Sequence, residues 1–144
     1  MKALFIGLGS VGQRHLQNFI ELRPHYTSLF SFRSSNSNNV IKNGCIIPNT
    51  NITEYYNIFE YKDLEKALNE KPDIAFICNP SAYHMEYAIK ISKKNINLFI
   101  EKPLATNASK ISELMQEINK NKLITMIGYQ TRFNPIVKDV RKLI

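Results

Sequence analysis

Ala3-Leu4-Phe5-Ile6-Gly7-Leu8-Gly9-Ser10-Val11-Gly12-Gln13-Arg14-His15 begins as a short apolar run and passes into G-x-G-x-x-G. It continues with Val11, Leu16, Phe19 and Ile20 at helical spacing. Strand, glycine turn and helix N-terminus in that order form the arrangement that receives a dinucleotide pyrophosphate. Gly7 permits the tight turn, Gly9 lets the main chain approach the phosphates, and Gly12 lets the helix pack on the strand. Ser10 and Val11 contribute the unpaired N–H groups of the helix start, where the positive end of the dipole meets an anion.

Outward from this stretch, strand and helix signals alternate, as in βαβ units built around a parallel sheet. A first strand at 2–6 and a helix at 10–22 end before Pro24, and a second strand follows at 28–32. Residues 34–57, rich in Asn, read as loop with a short strand at 43–47. A strand at 57–61 leads to a helix at 63–69, and Pro72 separates that helix from a strand at 73–78. The last of these is apolar without alternation, as expected of a central strand covered on both faces. A helix at 81–94, with Ser81 as its cap, a strand at 96–100, a helix at 107–120 and a strand at 123–127 complete the pattern. The prediction is an α/β fold, a doubly wound parallel sheet of the Rossmann dinucleotide-binding type, with strand order 3-2-1-4-5-6. Residues 1–127 form the dinucleotide-binding domain. Residues 128–144 form a linker and, from Asn134-Pro135, a first helix leading toward an absent C-terminal domain.

Composition agrees with a soluble globular protein: of 144 residues, 44% are hydrophobic and 22% charged. No stretch reaches the roughly 18 apolar residues of a membrane span. No signal-peptide layout precedes the first strand, so the expected location is the cytoplasm. Cys45 and Cys78 lack metal or redox spacing, and no metal is expected. The net charge of +7 comes from lysines scattered along helix ends rather than clustered with aromatics. That pattern argues against nucleic acid and for solvated faces or the steering of a phosphate-rich ligand.

Three further segments carry chemistry. NAD sites usually show an acid about 20 residues past the glycines, accepting from a ribose hydroxyl. Here no Asp or Glu occurs between Glu21 and Glu54, and Arg33 with Ser34 stands at that distance. Arg33 can hold a 2′-phosphate bidentately, which favours NADP over NAD; stacking on adenine, or simple solvation, is the alternative. After the fourth strand, Asn79 and Pro80 make a sharp exit and His84 lies in the following first turn. They line the cofactor's ribose or, alternatively, only cap and surface the helix. After the fifth strand, Lys102 stands between Glu101 and Pro103, where its ammonium can polarise a substrate hydroxyl or carbonyl during hydride transfer. Glu101 can orient that lysine or tune its pKa. The alternative is a plain surface loop. His15 reads as packing or capping.

Taken together, Gly7-Leu8-Gly9-Ser10-Val11-Gly12 with His15, Pro72-Asp73, Asn79-Pro80 with His84, Glu101-Lys102-Pro103-Leu104 and Gly128-Tyr129 with Arg132-Phe133-Asn134-Pro135 resemble the N-terminal part of the Gfo/Idh/MocA oxidoreductases. This is the group of glucose–fructose oxidoreductase and inositol dehydrogenase. The resemblance implies that Lys102 is catalytic, contacting the reacting hydroxyl and the nicotinamide ribose, and that the Lys102–Pro103 bond is cis. It also implies that Arg132 approaches the nicotinamide end. The implied activity is NAD(P)-dependent oxidation at a hydroxyl of a sugar, nucleotide-sugar or cyclitol. Family enzymes carry a second α/β domain supplying substrate contacts, further catalytic partners and the oligomer interface. The 144 residues alone are therefore expected to bind nucleotide, to be inactive, and to form oligomers only with that domain. A non-catalytic nucleotide-binding module and an NAD-dependent glycosidase of the same family are the alternatives. A methyltransferase is disfavoured by Glu101-Lys102-Pro103.

Overall fold

In the computed structural model, which describes residues 1–22, 27–34 and 38–143, the first strand alternates its side chains between two separate cores. Leu4 and Ile6 of β1 (Lys2–Ile6) enter one, and Ala3 and Phe5 enter the other. That division follows from the two-residue period of a strand covered on both faces. β6 (Ile74–Ile77) repeats it, with Ala75 and Ile77 on one side and Phe76 on the other.

The remaining elements, in chain order, are α1 (Ser10–Leu22), β2 (Ser28–Phe32), β3 (Val40–Lys42), β4 (Cys45–Ile47), α2 (Ile52–Tyr56), β5 (Phe59–Tyr61) and α3 (Leu64–Asn69). After β6 come α4 (His84–Ser92), β7 (Asn97–Ile100), α5 (Ile111–Asn121), β8 (Thr125–Ile127) and α6 (Pro135–Lys142). Six strands form a parallel sheet in the order β5-β2-β1-β6-β7-β8, which is the expected 3-2-1-4-5-6. Every carboxyl end of the sheet therefore lies along one edge, and the order reverses between β1 and β6.

On one face, α4 and α5 cover the sheet through Ala88, Ile91 and Leu114, packed on Leu98 and Ile100. On the other, Leu16 of α1 meets a stack of aromatic rings: Phe5 and Phe76 lie parallel at 4.6 Å, and Phe19 meets both edge-on. Leu16 and Phe5, both fully buried, each contribute about 1.5–3 kcal/mol.

Four local expectations change. The loop expected over 34–57 keeps its short strand, as β4, but among its described residues it also carries β3, which pairs antiparallel with β4 across Asn43-Gly44, both at positive φ (52° and 79°). The turn has the mirror-image geometry that two-residue hairpins require. α2 follows, its start capped by Asn51, whose side chain accepts from the Thr53 N–H at 2.9 Å. Ser81 does not cap α4; it starts a 3-10 turn at Ser81–Tyr83, and no side chain caps that turn. α5 begins at Ile111 because Asn107 takes the Ser109 N–H and hydroxyl into a local turn that competes with helix. Pro24, Ser35 and Ile144 lie outside the described residues.

Beyond β8 the prediction of a helix from Asn134-Pro135 holds. Asn134 accepts from the Ile136 N–H at 2.9 Å, and Pro135 takes the first helical position. α6 leaves Ile136, Val137 and Val140 exposed, with Phe133 and Leu143 beside them.

Candidate functional site

The strand ends at the switch point open into a cavity of about 510 Å³. Its floor is Ile6, Gly7, Leu8 and Gly9, continued by Ser10 and Val11 at the start of α1. One wall is the end of β2, with Phe32, Arg33 and Ser34, joined by Asn39 and Ile41 from the hairpin. The other is Cys78, Asn79 and Pro80 after β6, with Tyr83 and Tyr87. The sequence thus identified much of the wall: Gly7, Gly9, Ser10, Val11, Arg33, Ser34, Asn79 and Pro80 all border the cavity.

The three glycines differ in what demands them. Gly7 has φ +85°, and a Cβ there would lie 2.9 Å from the Asn79 Cα. A Cβ on Gly12 would sit 2.3 Å from the Gly7 carbonyl oxygen, so helix and turn meet there only because it is absent. Gly9 is unlike both: it is exposed, its φ is not left-handed, and a Cβ on it would meet nothing within 4 Å. Nothing in the fold requires glycine at position 9. What it preserves is empty space over the first turn of α1, where main-chain N–H groups and the dipole favour an anion. Asn79 Oδ1 is buried beside the same space and has no hydrogen-bond partner among the described residues, which leaves it an acceptor for a ligand donor. These features fit a nicotinamide dinucleotide.

Gln13, which sequence reasoning passed over, ties this floor to the hairpin. Its Nε2 donates to the Leu8 and Asn39 carbonyls at 3.1 and 2.9 Å, and its Oε1 accepts from the Ile41 N–H at 2.7 Å. A polar residue on the buried side of α1 was the available signal.

Arg33 calls for a correction. It borders the cavity but is only 4% exposed, so it does not present an open fork for a 2′-phosphate. Its Nε donates to Glu60 Oε2 at 2.6 Å, its Nη2 donates to the same oxygen, and Nη2 also reaches Asn38 Oδ1 at 3.0 Å. Glu60 stands on β5, opposite Ser31 in the parallel register, and its other oxygen accepts from Lys62 at 2.7 Å. Burial works to raise the Glu60 carboxyl, but hydrogen bonds from Lys62 and Arg33 overcome it and hold the group below its usual value. Glu60 lies 27 residues from Arg33 in sequence, and only the strand order makes them neighbours.

His84, Glu101, Lys102 and Arg132 lie off the cavity wall. His84 is not a surface residue. It is 2% exposed, with Nδ1 2.8 Å from the Pro103 carbonyl and Nε2 2.7 Å from the Asn79 carbonyl. It therefore joins the exit of β6 to the loop after β7; a neutral ring donates to only one of those oxygens.

Glu101 is buried and does not hold the lysine's ammonium. Its Oε2 accepts the Lys102 main-chain N–H at 3.0 Å, and its Oε1 receives both His15 Nε2 and Gln130 Nε2 at 2.6 Å. Burial again opposes ionisation, and the bonds from His15, Gln130 and Lys102 outweigh it, keeping the carboxyl low. His15 also packs on Phe99 at 4.8 Å, so the packing reading holds, with the hydrogen bond to Glu101 added to it. Burial and the nearby Glu101 push the Cys78 thiol up to about 12, which makes it a poor nucleophile. Lys102 is exposed, the Lys102–Pro103 peptide is cis, and Arg132 lies over the Phe133 ring at 5.8 Å. Among the described residues, no cluster of His, Cys, Asp and Glu could hold a metal, and no helix is long and apolar enough to cross a membrane.

Comparison with known proteins places this geometry. Residues 1–129 match the oxidoreductase family with an NAD-binding Rossmann fold. Myo-inositol 2-dehydrogenase of Thermotoga maritima is 26% identical over 85 residues, 58% of this chain and 25% of that protein. The 4-carboxy-2-hydroxymuconate-6-semialdehyde dehydrogenase of a Sphingobium species is 24% identical over 137 residues, 94% of this chain and 40% of that one. The crystal structure of myo-inositol 2-dehydrogenase from Lactobacillus plantarum superposes with a TM-score of 0.80 at 20% identity, covering 99% of this chain and 40% of that chain. This sequence thus spans between a quarter and two-fifths of the length of these relatives. The chain belongs to the Gfo/Idh/MocA family of oxidoreductases and carries its NAD-binding Rossmann domain.

Proposed function

We propose that the chain is the cofactor-binding part of an NAD(P)-dependent oxidoreductase that acts on a hydroxyl of a sugar, nucleotide-sugar or cyclitol. Gly9 is the observation that carries this reading: a glycine the fold does not need, kept open above a helix start at the switch point. The inositol dehydrogenases among its relatives support the substrate class.

Gly9 and the N–H groups of Ser10 and Val11 would hold the pyrophosphate, Asn79 Oδ1 would accept from a ribose hydroxyl, and Phe32, Arg33 and Ser34 would receive the adenosine end. A bound nicotinamide supplies the hydride acceptor. The chain's own contribution at the reacting end is Lys102, which holds and moves the proton of the substrate hydroxyl. Glu101 fixes the lysine's main chain through its N–H, and His84 fixes the Pro103 carbonyl beside it. Arg132 would approach the nicotinamide end, as the family resemblance implies. Residues 128–144 lead into a substrate-binding domain that packs on the exposed apolar residues of α6.

The test is calorimetric titration of this chain with NAD+ and NADP+. Saturable one-to-one binding of at least one is expected, and no binding of either refutes the reading.

A further inference from the structure

The outer end of the cavity contains an arginine that is already engaged. Two of Arg33's nitrogens meet Glu60 Oε2, one of them also meets Asn38, and the guanidinium has almost no exposed surface. Lys62 holds the other Glu60 oxygen, so two cations and one anion form a single chain of ion pairs across the ends of β2 and β5. Glu60 is itself largely covered, its side chain 16% exposed. The sequence has no Asp or Glu between Glu21 and Glu54, so β2 itself supplies no acid at this position.

We propose that Glu60 sets the choice between the two nicotinamide dinucleotides by keeping Arg33 from a 2′-phosphate. This rests on the dinucleotide reading of the cavity. For Arg33 to pair with a phosphate, its two charge-assisted hydrogen bonds to the carboxylate must break. The displaced Glu60 then lies close to a group of its own sign in a partly buried site, where like charges repel most. A ribose with a free 2′-hydroxyl requires neither change. The intact chain therefore prefers NAD+, with Glu60 acting from β5 through Arg33 as a specificity-determining residue. It performs the discrimination that an acid at the end of β2 performs elsewhere, by a different route.

The experiment is calorimetric titration of wild type, Glu60→Gln and the double variant Glu60→Gln/Arg33→Ala with NAD+ and with NADP+. Glutamine keeps the shape and one acceptor while removing the charge. In wild type, NAD+ binds more tightly. In Glu60→Gln, NADP+ affinity rises by about tenfold or more, the scale of one charge-assisted bond, and NAD+ affinity moves by less than about threefold. The gain disappears in the double variant. An unchanged ratio in Glu60→Gln overturns the proposal. So does a gain that survives in the double variant, because Glu60 then acts as a remote charge and not through Arg33. Should Glu60→Gln not fold, Glu60→Asp withdraws the carboxylate by one methylene and should shift the ratio in the same direction by less. A wild type that prefers NADP+ overturns the proposal without any variant. If wild type binds neither nucleotide, the dinucleotide reading fails instead, and the two failures are distinct.

Discussion

The two ends of the cleft are built by opposite means. The phosphate end is a walled cleft: its floor is a continuous turn, its walls come from two strand ends and a hairpin, and Gln13 ties them together with three hydrogen bonds. The reacting end is held from behind. Lys102, Pro103 and every residue from Tyr129 to Leu143 are exposed, while the groups fixing them, Glu101 and His84, are buried. On the proposed function, shape governs binding where the ligand is a diphosphate common to many proteins, and at the reacting end the chain supplies a few anchored groups on an open surface.

Glycine substitutions break that contrast most strongly. Gly9→Val fills the empty space over α1 and should lower affinity for both dinucleotides by about 100-fold or more, the scale of a lost phosphate site. The unfolding midpoint should move by no more than the equivalent of about 1 kcal/mol. Retained binding would detach Gly9 from the pyrophosphate. Gly12→Ala should do the reverse and act on the fold. Its Cβ meets a main-chain oxygen at 2.3 Å, and forcing helix and turn apart costs about 1–3 kcal/mol or more. Denaturant unfolding reads this directly, and an unchanged midpoint would mean the turn relaxes freely.

The same contrast explains how much of the molecule is legible in its sequence. Strand order, the glycine floor and Glu101-Lys102-Pro103 follow from short-range pattern, because an apolar run and the turn after it are contiguous. Asn-rich residues 34–57 read by composition as loop with a short strand at 43–47, yet individual asparagines among the described ones hold defined positions in the fold. Asn43, Asn49 and Asn57 take left-handed φ, and Asn51 caps α2. Asn43-Gly44 between Val40-Ile41-Lys42 and Cys45-Ile46-Ile47 is a readable hairpin signal that the surrounding composition outweighs. The partners of the candidate site are not readable. Glu60 meets Arg33 because β5 lies beside β2 in the sheet, and His15 meets Glu101 across 86 residues because α1 packs over the sheet, where His15 touches Phe99 of β7. His84 misleads in a different way. A histidine in a helix's first turn looks like a ligand contact, and only its burial between two carbonyls identifies it as a tie.

Lys102→Ala tests the reacting end while leaving the phosphate end intact. Since Lys102 is off the cavity wall, nucleotide affinity should stay within about threefold, while polyol oxidation by the enzyme bearing this domain falls about 10²–10⁴-fold, the usual worth of a positioned acid–base group. Undiminished turnover would remove the lysine from the chemistry. Loss of binding instead would mean that the two ends are one site.

The smallest effect concerns the buried group that supports the reacting end. Because the folded chain holds the Glu101 carboxyl below its ordinary value of 4.5, the unfolded chain binds the proton first as the solution is acidified. Glu101's contribution to stability is therefore complete above the ordinary carboxylate range and is lost as pH falls through its folded value. Protonation weakens the acceptor that His15 and Gln130 share, so acid should loosen the reacting end before the phosphate end. Glu101→Gln keeps an acceptor but cannot titrate, and its stability should fall less steeply than wild type below about pH 5. The slope will not vanish, because Glu60 contributes with the same sign; Glu86 and Glu113 are exposed and contribute little. Denaturant midpoints of both proteins from about pH 6 to about pH 3 make the measurement, and parallel curves would show that the carboxylate's three hydrogen bonds are no stronger in the folded chain than those water offers it in the unfolded one.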